Sequence, residues 1–510
     1  MTHTRYWLLF AICALAWLVV SLCLAPSMSG EDVYIFRDPG WNLASYGSFQ
    51  SAALVYMTDL TPRLNSHYTP LLPLLFAGYA SVFPRNPYSG TIFNLLVGLA
   101  AAAAVLRLIL LHPAGRLRNL AAVAVAVLPA AFITMDRPEA LALALFCATA
   151  ALASLPGSRP ILVGLLIALT FLAHPFGAIA AAIWASALFL ARNWSGARRW
   201  SRTLGQVAIA GVSAAIPIAL VAWIYYALDP DSLARFAAHS LGRASGMHAA
   251  RSGGWTAALH KAIFGLSAMG TFNYLAALAT VLLVLLWAVA KRRSLTASDW
   301  ILVLAGVLCT LASILVFSIQ ANYIFLLSFL IPAGLLLARP AGGAMAAPAL
   351  ALLLLAILIR IPPLGMSLLE RAEQLPSYRA ARSQPDFLRA QLADPGAVVD
   401  VEGDSYDLFK PQFRRMVRLD YVQDVDRYRS VAAVANCYDA YHDAAGPTRP
   451  LPSRLDPRDF HLVQPAPLHL WVTVFGKRLM RAQWGYGCDL YVRNSAPAVN
   501  LPAQGMQTTQ

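Results

Sequence analysis

The chain has 510 residues, 58% of them hydrophobic and 13% charged, with 39 Lys and Arg against 25 Asp and Glu and a net charge of +14. Its mean hydropathy of +0.58 excludes a water-soluble domain of this size, whose surface must be polar, and marks a polytopic membrane protein. The basic excess does not mark a nucleic-acid partner: from Ile361 onward 17 basic residues face 16 acidic ones, so the remainder holds 22 and 9, a net of +13 concentrated where the apolar runs are.

Crossing a hydrocarbon core of about 30 Å takes roughly 20 helical residues. The first run, YWLLFAICALAWLVVSLCLA (6–25), follows Arg5. A signal peptide has the same order of features, but this apolar core exceeds the usual h-region of about 7–15 residues, so a retained helix is the reading. Basic clusters recur in short loops at HPAGRLRN (112–119), GSRP (157–160), RNWSGARRWSR (192–202) and KRRS (291–294). Lys and Arg in such loops stay on the cytoplasmic side. Placing these loops and the N-terminus inside predicts eleven spans, near 6–25, 91–111, 117–135, 139–155, 160–173, 176–191, 204–226, 264–290, 300–318, 322–338 and 344–360. The C-terminus is then outside. Of the nine acids before residue 361, only Asp299 falls on the inner side.

Three of the outer acids, Glu31, Asp32 and Asp38, lie in the first outer loop, SGEDVYIFRDPGWNLASYGSF (29–49). A single loop acid is often only solvated, but these face further outer acids. Next comes TPLLPLLFAGYASVFP (69–84), too short and too Pro-rich for a span and expected to form a juxtamembrane or re-entrant helix. MDRPE (135–139) puts Asp136, Arg137 and Glu139 between two spans, either as a capping turn with Asp136 at N-cap and Glu139 at N3 or as part of a site. The outer loop 228–265 is basic, and a helix through it would align Arg235, His239 and Arg243. That face is either solvated or an anion clamp, since guanidinium binds phosphate bidentately.

The tail, 361–510, reads as a small α/β domain, with strands at AVVDVE and LHLWVTVF and helices near 367–392 and 426–445. Cys437 and Cys488 are its only cysteines, and an outer, oxidising compartment predicts that they pair. The other four cysteines fall in spans, where a small apolar packing role is expected. There is no internal repeat, Gly-rich phosphate loop, CxxC pair or HExxH.

In the first outer loop, Asp32, Phe36, Asn42, Leu43 and Gly47 resemble, without gaps, the acid, aromatic, N-L and Gly of the GT-C membrane glycosyltransferases, the group that includes protein O-mannosyltransferases, aminoarabinose transferases and bacterial family 39 glycosyltransferases. HYTPLLPLL (67–75) looks like the family's Pro-rich segment, MDRPEALALAL like its second acidic motif and ANYIFLLSFLIPAGLLL (321–337) like its late Tyr-then-Pro helix. Two departures stand out: Val33 replaces the second acid, with Glu31 one position early, and Thr69-Pro70 replaces a double proline.

The resemblance implies a mainly α, GT-C-type helical bundle over 1–360 with an extracytoplasmic α/β domain over 361–510, in the inner (plasma) membrane of a bacterial cell envelope. It implies transfer of a sugar from a polyprenyl-phosphate donor to an unknown glycan, lipid or protein hydroxyl by a single inverting displacement. Chemistry agrees with that inventory: a phosphodiester leaves well when cations hold its charge, whereas a hydroxyl needs a carboxylate base. Asp32 is then the base, with Glu31 or Asp38 as substitutes; His67, Arg137, Arg235 and Arg243 contact phosphate; Tyr323 lines the lipid groove. Asp136 and Glu139 orient acceptor or donor, or hold a divalent cation. A transporter would instead gather charges at the membrane midplane, where only Arg107 falls. A non-enzymatic receptor would make no demand for the outer acids.

Overall fold

The computed structural model describes residues 3–27, 32–51, 64, 69–133, 137–234, 281–316, 330–335, 346–401, 405–417, 431–439, 456–466 and 471–494, less positions 156, 158, 195, 197, 198, 232, 283, 287, 293, 294, 395, 475, 476, 482 and 483. The protein is mainly helical, with a small sheet near its C-terminal end. Four described helices are long and apolar enough to cross a membrane: His3–Cys23, Ser89–Leu110, Pro175–Asn193 and Arg199–Leu228. Leu71–Val82, Glu139–Ser154, Pro160–Ala173 and Ala346–Leu358 are shorter apolar helices, and Ala297–Val316 is another apolar one. Each coincides with a predicted segment. The predicted spans 264–290 and 322–338 lie largely outside the described residues.

The chain divides into two compact units. The first comprises Met1–Ser21, Arg63–Phe76 and Thr91–Gly365. Its core gathers Leu106, Phe132, Phe146, Phe176, Trp184 and Leu353, all buried. The predicted span at 117–135 is helical from Arg116 to Ala124 and then tightens into a 3-10 segment, Val125–Phe132, around Pro129. Proline lacks an N–H, so in a 3-10 turn the carbonyl three residues earlier loses its donor. That carbonyl belongs to Ala126, and the Trp17 indole N–H donates to it at 2.8 Å. The helix Pro160–Ala173 lies so close to Arg199–Leu228 that a Cβ on Gly164 would stand 2.2 Å from the Ala210 carbonyl oxygen. Small residues at such crossings let helix backbones approach where no water is present to drive them together.

The second unit comprises Leu22–Pro62, Ala77–Gly90 and Met366–Gln510, so the loop after the first helix clusters with the tail. Its strands are β1 (Val398–Val401), β2 (Arg415–Val417), β3 (Val431–Asp439), β4 (Phe460–Gln464), β5 (Trp471–Val474), β6 (Lys477–Arg481) and β7 (Trp484–Arg493). Five form one sheet in the order β2-β1-β3-β7-β4, with β1 parallel to β2 and β3, and β7 antiparallel to β3 and β4; β5 and β6 form a separate antiparallel pair.

The helix expected near 367–392 is present as Ile361–Glu373, Leu375–Ala381 and Gln384–Gln391. The one expected near 426–445 is not: Val431–Asp439 is strand β3. β3 is central, and nearly every residue from Val431 to Cys437 is buried. A strand covered on both faces has no alternation to read, and a short apolar run then looks like a buried helix.

Cys437 and Cys488 stand opposite each other on β3 and β7 and are joined by a disulfide. Gln384 closes over it, its side-chain N–H donating to the Cys488 carbonyl at 2.8 Å and its Oε1 accepting from the Cys488 N–H at 3.0 Å. Replacing both cysteines by serine is expected to cost the second unit about 2–4 kcal/mol. Denaturant titration of the purified protein, followed by protease susceptibility of the tail, checks this.

Candidate active site

The first loop folds as two short helices, Val33–Phe36 and Asp38–Tyr46. The second begins Asp-Pro-Gly, with an acid and a proline in the first turn where the helix dipole and the missing N–H favour them. It ends at Gly47, whose φ of 67° is the left-handed conformation that glycine adopts without a Cβ penalty. The Gly47 N–H donates to the Leu43 carbonyl at 3.0 Å. The Asn42 amide donates to the Gln50 carbonyl at 2.6 Å and to Asp38 Oδ2 at 3.2 Å. The Asn-Leu and Gly of the family resemblance therefore build a helix end that turns the chain back on itself.

Asp38 is fully buried. Its Oδ1 accepts from the Tyr406 hydroxyl at 2.6 Å and pairs with Lys410 Nζ, also at 2.6 Å. Lys410 donates further to the Arg414 carbonyl at 3.2 Å. Beside it, Arg37 Nη1 donates to both oxygens of Asp407 at 2.8 Å. Two acids and two bases thus meet as a buried quartet, each pair taking one residue from the loop and one from Tyr406–Lys410. Burial, followed by the charge of Asp38, raises the Tyr406 pKa well above its ordinary value and holds the phenol as a donor. Gly90 lies directly against the second pair: a Cβ there would stand 1.6 Å from Arg37 Nη1 and 2.6 Å from Asp407 Oδ2.

Other bonds tie the same loop to the tail. Tyr34 donates to the Val401 carbonyl at 2.5 Å, Tyr486 to that of Pro26 at 2.5 Å and Arg371 Nε to that of Ala25 at 2.7 Å.

Asp32 differs from Asp38. It stands at the N-cap of Val33–Phe36, where its carbonyl accepts from Ile35 and Phe36 at 3.0 and 2.9 Å while its carboxylate makes no capping bond. Asp32 is partly exposed. Of the two described acids in this loop, it is the more exposed.

The second acidic motif belongs to the first unit. Its helix starts at Glu139 itself, with Pro138 at the N-cap and no side-chain cap. Glu139 is therefore at N1 rather than the N3 of the capping alternative, and Asp136 lies outside the described residues. The Glu139 carboxylate, fully buried, takes the Arg137 Nε–H on Oε1 at 2.9 Å. Its Oε2 is buried with no hydrogen-bond partner among the described residues.

His174, which sequence reasoning missed, lies between the helices Pro160–Ala173 and Pro175–Asn193 and brings Nε2 to 4.0 Å from Glu139 Oε1. Its Nδ1 accepts from the Gly177 N–H at 3.3 Å, which leaves the ring proton on Nε2. Burial first, then the charge of Arg137, lowers its pKa to about 3. The imidazole is neutral at physiological pH. Thr69, from the Pro-rich segment, donates to the carbonyl of neighbouring Ala173 at 2.9 Å.

Glu31, His67, Asp136, Arg235, Arg243 and Tyr323 lie outside the described residues. The described residues hold no group of three or more His, Cys, Asp or Glu placed to bind a metal. The signal that could have found His174 is a His-Pro step in an apolar stretch between two spans, at the end of the membrane helices where Glu139 also starts.

No protein-family model matches the sequence, and no curated protein does. Among solved structures, the chain is similar to the Archaeoglobus fulgidus oligosaccharyltransferase in complex with Zn and sulfate, at 14% identity over 84% of this chain and 68% of that one, TM-score 0.46. The apo form of that protein aligns at 13% identity over 85% and 69%, TM-score 0.47. ArnT from Cupriavidus metallidurans in the apo state aligns at 13% identity over 85% of this chain and 93% of that one, TM-score 0.42.

Two outcomes test these arrangements. Lys410→Met strands a buried carboxylate and is expected to destabilise the second unit by about 3–5 kcal/mol, whereas adding Asp38→Asn to it recovers much of the loss; denaturant unfolding of the three variants reads the difference. For His174, the folded pKa lies below the ordinary 6.5, so the unfolded chain takes up a proton first as pH falls. Stability is full above about pH 6.5 and drains toward pH 3, by about 2 kcal/mol between pH 7.5 and 5. His174→Gln should remove that slope.

Proposed function

We propose that the protein transfers a sugar from a polyprenyl-phosphate donor to an acceptor hydroxyl on the outer face of the membrane, in one inverting displacement. The observation that carries this reading is the contrast between two neighbouring carboxylates. Asp38 is buried and committed to Lys410 and Tyr406, while Asp32 is partly exposed on a loop that those contacts hold. A loop immobilised beneath an accessible carboxylate is the arrangement a general base requires, because a hydroxyl must be met at hydrogen-bond distance. The family resemblance places its leading acid at the same residue.

In this reading Asp32 accepts the acceptor's proton as its oxygen attacks the anomeric carbon, and the lipid phosphate departs with the bonding pair. Glu31 is the alternative base. Cations gather the leaving charge: Arg137 from the second motif, and His67, Arg235 and Arg243 from the other outer segments. Glu139 with Asp136 orients a substrate or supplies oxygen to a divalent cation, and Oε2 of Glu139 is the described atom suited to either task. Tyr323 lines the groove for the polyprenyl chain. In this reading the site faces the extracytoplasmic side of the inner membrane, with 361–510 as the outer domain; the basic clusters in the short loops read as inner support it.

Asp32→Asn keeps shape and removes the base, so transfer should fall about a hundredfold or more. Donor binding should persist. Purified protein in lipid nanodiscs, given polyprenyl-phosphate sugars and assayed for loss of the glycolipid, provides the measurement. Near wild-type turnover in Asp32→Asn with loss in Glu31→Gln would move the base by one position. Full activity in both variants would sink the transferase reading; loss in Asp38→Asn counts only if the unit remains folded.

A further inference from the structure

Arg118 is 2% exposed, yet its Nε and Nη2 have no hydrogen-bond partner among the described residues. Its described contact is a cation–π one, the guanidinium carbon 5.5 Å from the centre of the Tyr6 ring. A ring face attracts a cation but does not neutralise it, and an uncompensated buried charge is costly.

Arg118 is the third residue of the helix Arg116–Ala124. Side chains on a helix lean toward its N-terminus, so a residue in this position reaches back over the first turn. That turn begins at Gly115, which is extended and supplies no side-chain cap. The leading N–H groups of an uncapped helix carry the positive end of its dipole and form a ready anion site. There is room beside them: a Cβ built on Gly115 meets nothing within 4 Å.

One wall is fixed by Tyr6, whose hydroxyl donates to Asn119 Oδ1 at 2.6 Å. Tyr6 belongs to the opening turns of His3–Cys23, a helix long and apolar enough to cross a membrane. The site therefore sits near the start of a helix long and apolar enough to cross a membrane, in the basic stretch HPAGRLRN, and the end of such a helix is where a headgroup phosphate would be met.

We propose that Arg118 and the first turn of Arg116–Ala124 bind a phosphate oxyanion, held by the guanidinium and by backbone N–H groups. The position at a membrane helix end suits the phosphodiester of an anionic phospholipid; soluble phosphate offers the same oxygens. This site is separate from the carboxylates assigned to transfer, and it does not depend on that assignment.

The test measures thermal unfolding of the full-length protein in two settings. In neutral detergent, inorganic phosphate is added; in nanodiscs, phosphatidylcholine is compared with phosphatidylcholine containing phosphatidylglycerol. Wild type should gain about 2–4 °C in at least one setting. A gain with phosphatidylglycerol alone names the lipid as the source, and a gain with phosphate alone names the soluble ion.

Arg118→Met should lose the response without losing stability in the anion-free protein. Gly115→Asp is the second variant, because it places a carboxylate at the N-cap of the same helix, where a Cβ meets nothing within 4 Å. It should raise the unfolding midpoint without added anion and abolish the response to it. No gain in either setting overturns the proposal, as does an undiminished response in both variants. A midpoint lowered equally with and without anion in Arg118→Met would reduce Arg118 to packing against Tyr6 and would overturn it too.

Discussion

Four buried charges must find one another before the first loop has a conformation. Asp38 and Arg37 are adjacent in the loop, and Lys410 and Asp407 lie on one short helical turn of the tail. Desolvating a single such ion costs several kcal/mol, and only its partner at close range repays that cost. The pairing is therefore a registration device: each adjacent loop charge has one complementary site three residues from the other's. Gly90 enforces the fit from a third segment, since any side chain there would occupy the space of Arg37. The loop clusters with the tail, and it is better understood as an element of the tail's fold than as a link between two spans.

That dependence sorts the loop's acids by what surrounds them. A carboxylate already engaged by an ammonium, a phenol and an amide has little freedom left to meet a substrate. Asp38 is such a group. Asp32, six residues earlier, sits on the turn that this anchoring holds in place. The same sorting applies to the second motif, where Glu139 gives one oxygen to Arg137 and keeps the other. His174 beside it stays neutral, because both burial and Arg137 oppose a proton. It stands 4.0 Å from Glu139 Oε1 without adding a charge to be balanced.

Much of this was legible in the sequence wherever the signal is local. Apolar runs bounded by basic loops gave the helices, since length and hydropathy suffice when the surrounding medium is hydrocarbon. Two cysteines alone in the tail suggested a pair, and they are bonded. β3 was misread because a doubly covered strand has lost the alternation that separates strand from helix. The partners of Arg37 and Asp38 were out of reach for another reason. Asp407 lies 370 positions from Arg37, and nothing in SYDLFK distinguishes a buried clamp from a solvated helix face. The Asp-Pro-Gly start of Asp38–Tyr46 uses proline in its first turn, but the Asp38 carboxylate turns to Tyr406 and Lys410 of the tail.

The buried arginines carry the argument one step further. Arg37 is neutralised by Asp407, and Arg371 spends its Nε–H on the Ala25 carbonyl in the same unit. Both serve internal construction, and both lie with the segments read as outer. Arg118 is as deeply buried, but its described neighbours are an aromatic face and an open helix end. Among the described residues, Arg37 and Arg371 each meet an oxygen of the chain, whereas Arg118 meets a ring, and a phosphate would supply the oxygens it lacks there. The same chemistry, guanidinium against oxyanion, is thus used inside the protein where a loop must be fixed, and toward the surroundings where a membrane phosphate is at hand.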